Sequence, residues 1–384
     1  MFYKSWKSII HIPWFLKPSL GLVGVILYLS ACAPVSNNPE LTRAAAPASG
    51  PIPILAYYYI WFDPTSWNRA KVDYPLLGRY SSDDVNVMKQ HIEWAKAAGI
   101  NGFIVSWKGT NPLNRRLDQL VKLADEENFK LAIIYQGLDF NRDPLPASQV
   151  STDLDYFIRH FAKHPAFSIY EKPLVIWSGT WQFSEADVQA VTAGKRDHLL
   201  ILASEKNVDG YKRLSGLVDG DAYYWSSVNP DTFSGYVDKL NTMAAAIHAA
   251  GGLWIAPAAV GFDARLVGGT TIVDRKDGKT LDTELNSAFQ SSPDAIGLIS
   301  WNEFSENSHI EPSEKYGKRY LEVLTNYTSA SVPASGGGFD SSDPGPVLFS
   351  FGSQAIALGG FAALMVASII LIIWRNVPRK SSSG

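Results

Sequence analysis

Ala295-Ile296-Gly297-Leu298-Ile299-Ser300 runs straight into Trp301-Asn302-Glu303-Phe304-Ser305-Glu306, and this junction decides how the chain is read. A short apolar run without polar alternation predicts a parallel strand buried on both faces. Glu303 and Glu306, spaced i to i+3, then emerge together at its C-terminal end. In an α/β barrel that end is the mouth where reacting groups collect. Two carboxyl groups there are the minimum set for acid/base cleavage of a glycosidic bond, with one of them kept protonated by burial beside its neighbour. Glu306 alone would also suit the first turn of a helix, where the dipole favours an acid.

Working outward, apolar runs at 54–59, 102–106, 131–135, 174–177, 199–203, 222–225, 253–256 and 295–300 alternate with helix-period segments. That alternation demands a parallel sheet with crossover helices, and eight strands close a (β/α)8 TIM barrel. A doubly wound open sheet is the alternative architecture. The helix after the first strand is the best marked: Ser81-Ser82-Asp83-Asp84 opens it, Val85, Met88, Ile92 and Ala95 form its apolar stripe, and Gly99 ends it. Ser184 opens another helix, and 236–250 reads as a long one, whereas the connection between strands five and six is short and poorly patterned.

The strand ends nominate the site. Tyr59 and Trp61 follow the first strand, Trp107 the second, Gln136 the third, Tyr224 the sixth and Asp263 the seventh, with Asn302 and His309 flanking the two glutamates. Aromatic rings suit the apolar C–H faces of sugars, although such rings also fill barrel cores. His309 reads either as a substrate contact or as a loop hydrogen-bonder, and Glu311 either as a group that orders the loop or as part of the cleft wall. Seven His residues without paired ligand spacing give no support to a metal site, and no Gly-rich phosphate loop follows a strand, so no cofactor is expected. A formal net charge of −3 provides no positive field for a polyphosphate backbone, so nucleic acid is not an expected partner.

The ends of the chain differ from its middle. Lys4, Lys7 and Lys17 precede an apolar stretch at 19–31, and Leu29-Ser30-Ala31-Cys32 matches a bacterial lipobox. Cys32, the single cysteine, is the expected lipidation site, with an ordinary secretory signal or an uncleaved anchor as alternatives. Residues 355–374 contain one polar side chain, Ser368, and are followed by Arg375, Arg379 and Lys380. This pattern predicts a membrane-spanning helix with its C-terminus in the cytoplasm. The expected organisation is a signal with lipobox (1–32), a tether (33–50), the barrel (51–328), a Gly/Ser/Pro linker (329–353), a transmembrane helix (354–374) and a cytoplasmic tail (375–384). The barrel would then lie outside a bacterial cell membrane.

Ala56-Tyr57-Tyr58-Tyr59-Ile60-Trp61-Phe62, the stretch from Gly99 to Trp107, Gly261-Phe262-Asp263, and Ser300 to Glu306 with Ile310-Glu311-Pro312 together resemble glycoside hydrolase family 99 and its relatives, the endo-α-mannosidase and endo-α-mannanase group. The resemblance covers most of 52–327 in the same order, and its last motif is the most specific. It implies internal cleavage of an α-linked polysaccharide or oligosaccharide with retention, the substrate's own 2-hydroxyl attacking the anomeric carbon. Carried over, Glu303 would be the general base for that hydroxyl. Glu306 would protonate the departing sugar, and Tyr59, Trp61, Trp107 and Tyr224 would form sugar platforms. The chain departs from the family pattern at Phe304 and Asn307, where Trp and then Gly are usual, and at Gln136, where a carboxylate is usual. Two other readings stand beside this one: a glycosidase resembling the α-1,3-glucanase family, and a non-catalytic glycan-binding barrel at the cell surface.

Overall fold

The computed structural model describes residues 51–69 and 71–330. Cys32, the tether, most of the linker, the apolar segment at 354–374 and the C-terminal tail lie outside the described residues. No helix among the described residues is long and apolar enough to cross a membrane.

The described residues form ten strands: β1 (Ile54–Tyr59), β2 (Gly102–Trp107), β3 (Lys130–Gln136), β4 (Leu174–Ser178), β5 (Leu200–Leu202), β6 (Gly220–Ala222), β7 (Leu253–Ala259), β8 (Phe262–Asp263), β9 (Ile272–Val273) and β10 (Ala295–Ile299). Eight of them form one parallel sheet in the order β5-β4-β3-β2-β1-β10-β7-β6. Its two edges meet through a parallel bridge between Ala203 and Asp221, with Ala203 N donating to Gly220 O and Ala222 N to Ala203 O at 2.9 Å each. The sheet therefore closes on itself as a TIM-type barrel. The short antiparallel pair β8–β9 lies apart, on the connection after β7.

Helices α1 (Val85–Ala97), α2 (Asn111–Glu126), α3 (Ala147–His160), α4 (Glu185–Thr192), α5 (Val208–Leu214), α6 (Tyr236–Ala249), α7 (Lys279–Gln290) and α8 (Arg319–Ala330) connect or follow the barrel strands. The capping residues read from the sequence act as expected. The Asp84 carboxylate accepts from Asn86 N and Val87 N at the start of α1, and Ser184 and Asp187 form a reciprocal capping box on α4. Each such cap contributes about 1 kcal/mol. The short α5 occupies the poorly patterned connection, and α8 continues to Ala330, past the boundary placed at Thr328.

Because strand side chains alternate, each strand feeds two cores. Leu55, Tyr57 and Tyr59 of β1 point into the lumen with Ile104, Ile134, Ile176, Leu202 and Ile255, whereas Tyr58 joins Phe103, Val105 and Tyr135 between sheet and helices. Gly297 completes the lumen: a Cβ there would sit 3.0 Å from the ring of Tyr57, so the glycine makes room for a tyrosine.

The sixth strand differs from the expected 222–225, beginning at Gly220 and ending at Ala222. Its aromatic run Tyr223-Tyr224-Trp225 carries the β-propensity, but pairing starts where the backbone can approach β7. A Cβ on Gly220 would lie 2.1 Å from Leu253 O, so only glycine fits. The charged Asp221, fully buried with Glu205 N donating to it at 2.8 Å, interrupts the apolar signal.

Candidate active site

The segment from Ser300 to Ile310 folds back on itself at the end of β10. Ser300 N donates to Ser308 O at 2.7 Å, Ser308 N to Glu303 O at 3.2 Å, and Ile310 N to Ser300 O at 2.9 Å. No helix forms across these residues, so Glu306 is not a helix N-terminal acid. Glu303 N donates to Ser300 Oγ at 2.9 Å, and Asp263 N, from β8, donates to Glu306 O at 2.8 Å. The loop after β7 thus fixes the backbone that carries the second acid.

Both carboxyls are nearly enclosed, Glu303 at 2% and Glu306 at 7% exposure. Burial pushes both above the ordinary carboxylate range. Glu303 is held back by the Ser305 N–H, which donates to its Oε1 at 2.9 Å, and by the charge of Lys71. Glu306 is pushed further by the negative charge of Glu303, with Arg142 opposing. Among the described residues only Glu303 has a hydrogen-bond donor on its carboxyl, an asymmetry that favours the charge on Glu303 and the proton on Glu306. The charges of both acids also reach Tyr59 and Tyr224, whose hydroxyls are bonded to each other at 2.8 Å. Trp61 stacks on Tyr59 with ring centroids 4.4 Å apart and is half-buried. Tyr59, Trp61, Tyr224, Glu303 and Glu306 therefore share one neighbourhood at the barrel mouth.

Other residues nominated from the sequence lie elsewhere. Trp107, expected as a sugar platform, is fully buried on the outer face of β2, against Tyr135 and Phe157, with Nε1 donating to Asn114 Oδ1 at 2.9 Å. The parity of β2 sends Ser106 inward and Trp107 outward, so Trp107 is unavailable to a ligand. Asn302, expected to bind substrate, is also sealed: its amide accepts from Tyr59 N at 2.8 Å and donates to Tyr59 O at 2.9 Å, clamping the end of β1 to the loop.

His309 is fully buried as well, stacked on Phe304 at 3.9 Å, with Nε2 3.0 Å from Asp73 Oδ2 and the backbone carbonyl accepting from Arg275 at 2.8 Å. Burial and then the Arg275 charge push its pKa down to about 3. It is a loop hydrogen-bonder rather than a substrate contact. The Asp263 carboxylate is engaged by Arg265 through Nε at 2.9 Å and Nη2 at 2.6 Å, so its link to the site is the backbone bond to Glu306. Gln136 is half-buried and donates to Ser106 Oγ at 3.1 Å on the lumen side.

Glu311 orders the loop. Its oxygens take His91 Nε2 at 3.0 Å and Tyr80 Oη at 2.9 Å, and His91 Nδ1 lies 3.1 Å from Tyr58 Oη. Lys71 and Arg142, whose charges act on the acids, were not singled out in the sequence, because isolated cations in loops carry no pattern.

A closed parallel barrel with two buried, unpaired carboxyls at the end of its last strand defines the glycosidase type of TIM barrel. The chain belongs to glycosyl hydrolase family 99, whose family model matches residues 66–327. The glycoprotein endo-alpha-1,2-mannosidase of Rattus norvegicus is 24% identical over 263 residues, which is 62% of this chain and 56% of that protein. That of Mus musculus is 25% identical over 272 residues, with the same shares. The chain thus spans about half the length of these curated relatives. The GH99 endo-alpha-mannosidase from Bacteroides thetaiotaomicron matches the fold with a TM-score of 0.63 and 20% identity, over 72% of this chain and 96% of that one.

Proposed function

We propose that this chain is an endo-acting, retaining α-glycosidase that cleaves α-mannosidic linkages inside an oligosaccharide or polysaccharide. The observation that carries the reading is the unequal pair: Glu303, steadied as an anion by Ser305 N–H and Lys71, beside Glu306, kept protonated by burial and by Glu303 itself. A base and an acid that differ only in environment are what a glycosidic cleavage needs at neutral pH.

In the first step Glu303 takes the 2-hydroxyl proton as O2 bonds to the anomeric carbon. The glycosidic C–O bond breaks, and the departing oxygen takes the Glu306 proton, leaving a 1,2-anhydro sugar. In the second, Glu306 takes a proton from water as the water oxygen bonds to the anomeric carbon. The C1–O2 bond opens, and Glu303 returns its proton to O2. Two inversions give net retention. Tyr59, Trp61 and Tyr224 wall the sugar being attacked. The names of the relatives support an α-1,2-mannosidic target.

The same reading places the barrel outside the cell, tethered by lipid on Cys32 and by the apolar segment at 355–374. Protease added to intact cells is expected to remove the barrel, and full protection of it contradicts this topology. For the activity, incubation with α-1,2-mannan and with α-1,3-glucan, followed by NMR of the fresh products, is expected to give α-configured manno-oligosaccharides. Exclusive release from the glucan supports the α-1,3-glucanase alternative, β-configured products contradict retention, and binding without any product marks a non-catalytic barrel.

A further inference from the structure

The carboxyl of Glu306 takes no hydrogen-bond donor among the described residues, so the backbone that carries it sets where it points. That backbone is gripped by the connection between β7 and α7. Asp263 N donates to Glu306 O at 2.8 Å. Just beyond, one guanidinium takes two carbonyls: Arg275 donates from Nη2 to Asn307 O and from Nη1 to His309 O, each at 2.8 Å. Asn307, next to Glu306, has φ of +48°, in the left-handed region that a non-glycine residue rarely enters. The turn that carries the second acid is thus held from outside at three carbonyls.

Arg275 is itself fixed. It stands two residues past β9, is 5% exposed, and makes no ion pair with a carboxylate among the described residues. Its guanidinium carbon lies 4.3 Å from the centroid of the Tyr316 ring and 4.6 Å from that of Tyr320. Its stem crosses the exit of β7: a Cβ on Gly261, whose φ is +144°, would sit 2.6 Å from Arg275 Cγ and 2.9 Å from Val273 O. A buried guanidinium gives up its hydration, and here two carbonyls and two rings replace it. The planar fork spans both carbonyls at once, which a point charge does not. An arginine serving only to pair charge would face an acid, whereas this one faces the backbone that carries an acid.

We propose that Arg275 is a positioning residue for the proton donor: by clamping Asn307 and His309 it holds the turn that presents the Glu306 carboxyl to the departing oxygen. This rests on the glycosidase reading and adds to it a residue that acts without bonding to either acid. Misplacing the carboxyl by about 1 Å slows proton delivery while leaving the sugar walls Tyr59 and Trp61 in place.

The test uses the full chain and two substrates: α-1,2-mannan, whose departing oxygen needs a proton, and an α-mannosyl fluoride, whose leaving group does not. Arg275→Lys keeps the charge but loses the fork. It is expected to lower kcat on mannan by on the order of ten-fold with KM within about two-fold, and to leave fluoride release within about two-fold of wild type. Tyr316→Leu removes one ring against the guanidinium and is expected to show the same selectivity with a smaller loss. Equal losses on the two substrates, or none on either, overturn the proposal, because a general weakening of the fold slows both reactions alike. If Arg275→Lys yields no folded chain, the ratio of the two rates in Tyr316→Leu decides by the same criterion. Glu306→Gln separates the two levels of the argument. A selective loss there with none in the Arg275 and Tyr316 variants refutes this inference alone. No selective loss in Glu306→Gln, or no cleavage of either substrate by the wild-type chain, refutes the glycosidase mechanism along with it.

Discussion

Glu306 and Glu311 sit five positions apart in one loop, both nearly enclosed, yet their surroundings are opposite. The Glu311 carboxylate is saturated by His91 and Tyr80 inside a hydrogen-bonded chain that runs on to Tyr58 and Asn302. Glu306 has no hydrogen-bond donor on its carboxyl among the described residues, and the charges that act on it are those of another acid and an arginine. A filled carboxylate holds structure together, whereas one kept dry and unfilled stores a proton for a ligand that has yet to bind. Burial alone does not separate the two roles; the count of donors does.

The comparison breaks most visibly in activity. Glu306→Gln and Glu303→Gln are each expected to lower kcat/KM on α-mannan by on the order of 10²-fold or more with the fold intact. Glu311→Gln is expected to lower it far less, and steady-state kinetics on the three variants with matched circular dichroism checks this. In stability the order reverses. Glu311→Ala strands His91 and Tyr80 in the core and is expected to cost on the order of 3 kcal/mol in denaturant unfolding, whereas Glu306→Gln is not expected to destabilise.

The tryptophans sharpen the same contrast between buried support and open site. Trp107→Leu leaves a core cavity and is expected to cost about 2 to 3 kcal/mol in stability. Trp61→Ala removes an open ring and is expected to raise KM, the loss of stacking amounting to about 1 kcal/mol, with the melting temperature little changed.

The smallest effects are in pH dependence. Catalysis needs Glu303 ionised, so the rate climbs as pH rises through a value above the ordinary carboxylate range. It needs Glu306 protonated, so the rate falls past a value higher still. For stability, folded carboxyls with raised pKa lend support at low pH that is lost as pH rises through those raised values. His309, pushed down to about 3, acts in the opposite sense, its support being lost as pH falls from the ordinary histidine range. Melting temperatures across pH are therefore expected to drop on both sides, with Glu306→Gln flattening the alkaline side alone.

How much of this was legible in the sequence follows from which patterns are local. Short apolar runs and the period-3.6 segments between them located seven of the eight barrel strands, and Asp84 and Ser184 named their own helix starts, because burial and capping act on neighbours in sequence. The sixth strand slipped because a buried Asp221 broke its apolar run and the glycine that permits pairing has no propensity to advertise. Strand parity would have sent Trp107 outward once Ser106 was placed inward, but an aromatic at a strand end looked like a site residue. Asn302 reads in the sequence as a substrate contact, His309 as a substrate contact or a loop hydrogen-bonder, and Glu311 as a loop-ordering group or part of the cleft wall. Their partners Tyr59, Asp73 and His91 lie more than two hundred residues away, so their bonding depended on tertiary contacts that no local pattern encodes.

The central claim is that Glu306 delivers its proton to the departing oxygen. It is tested most directly by single-turnover kinetics of Glu306→Gln on an α-mannosyl fluoride, whose leaving group needs no protonation, against the natural glycosidic linkage. The account predicts fluoride release within about ten-fold of wild type while cleavage of the glycan falls by on the order of 10²-fold or more. An equal loss on both substrates, or no loss on either, contradicts it.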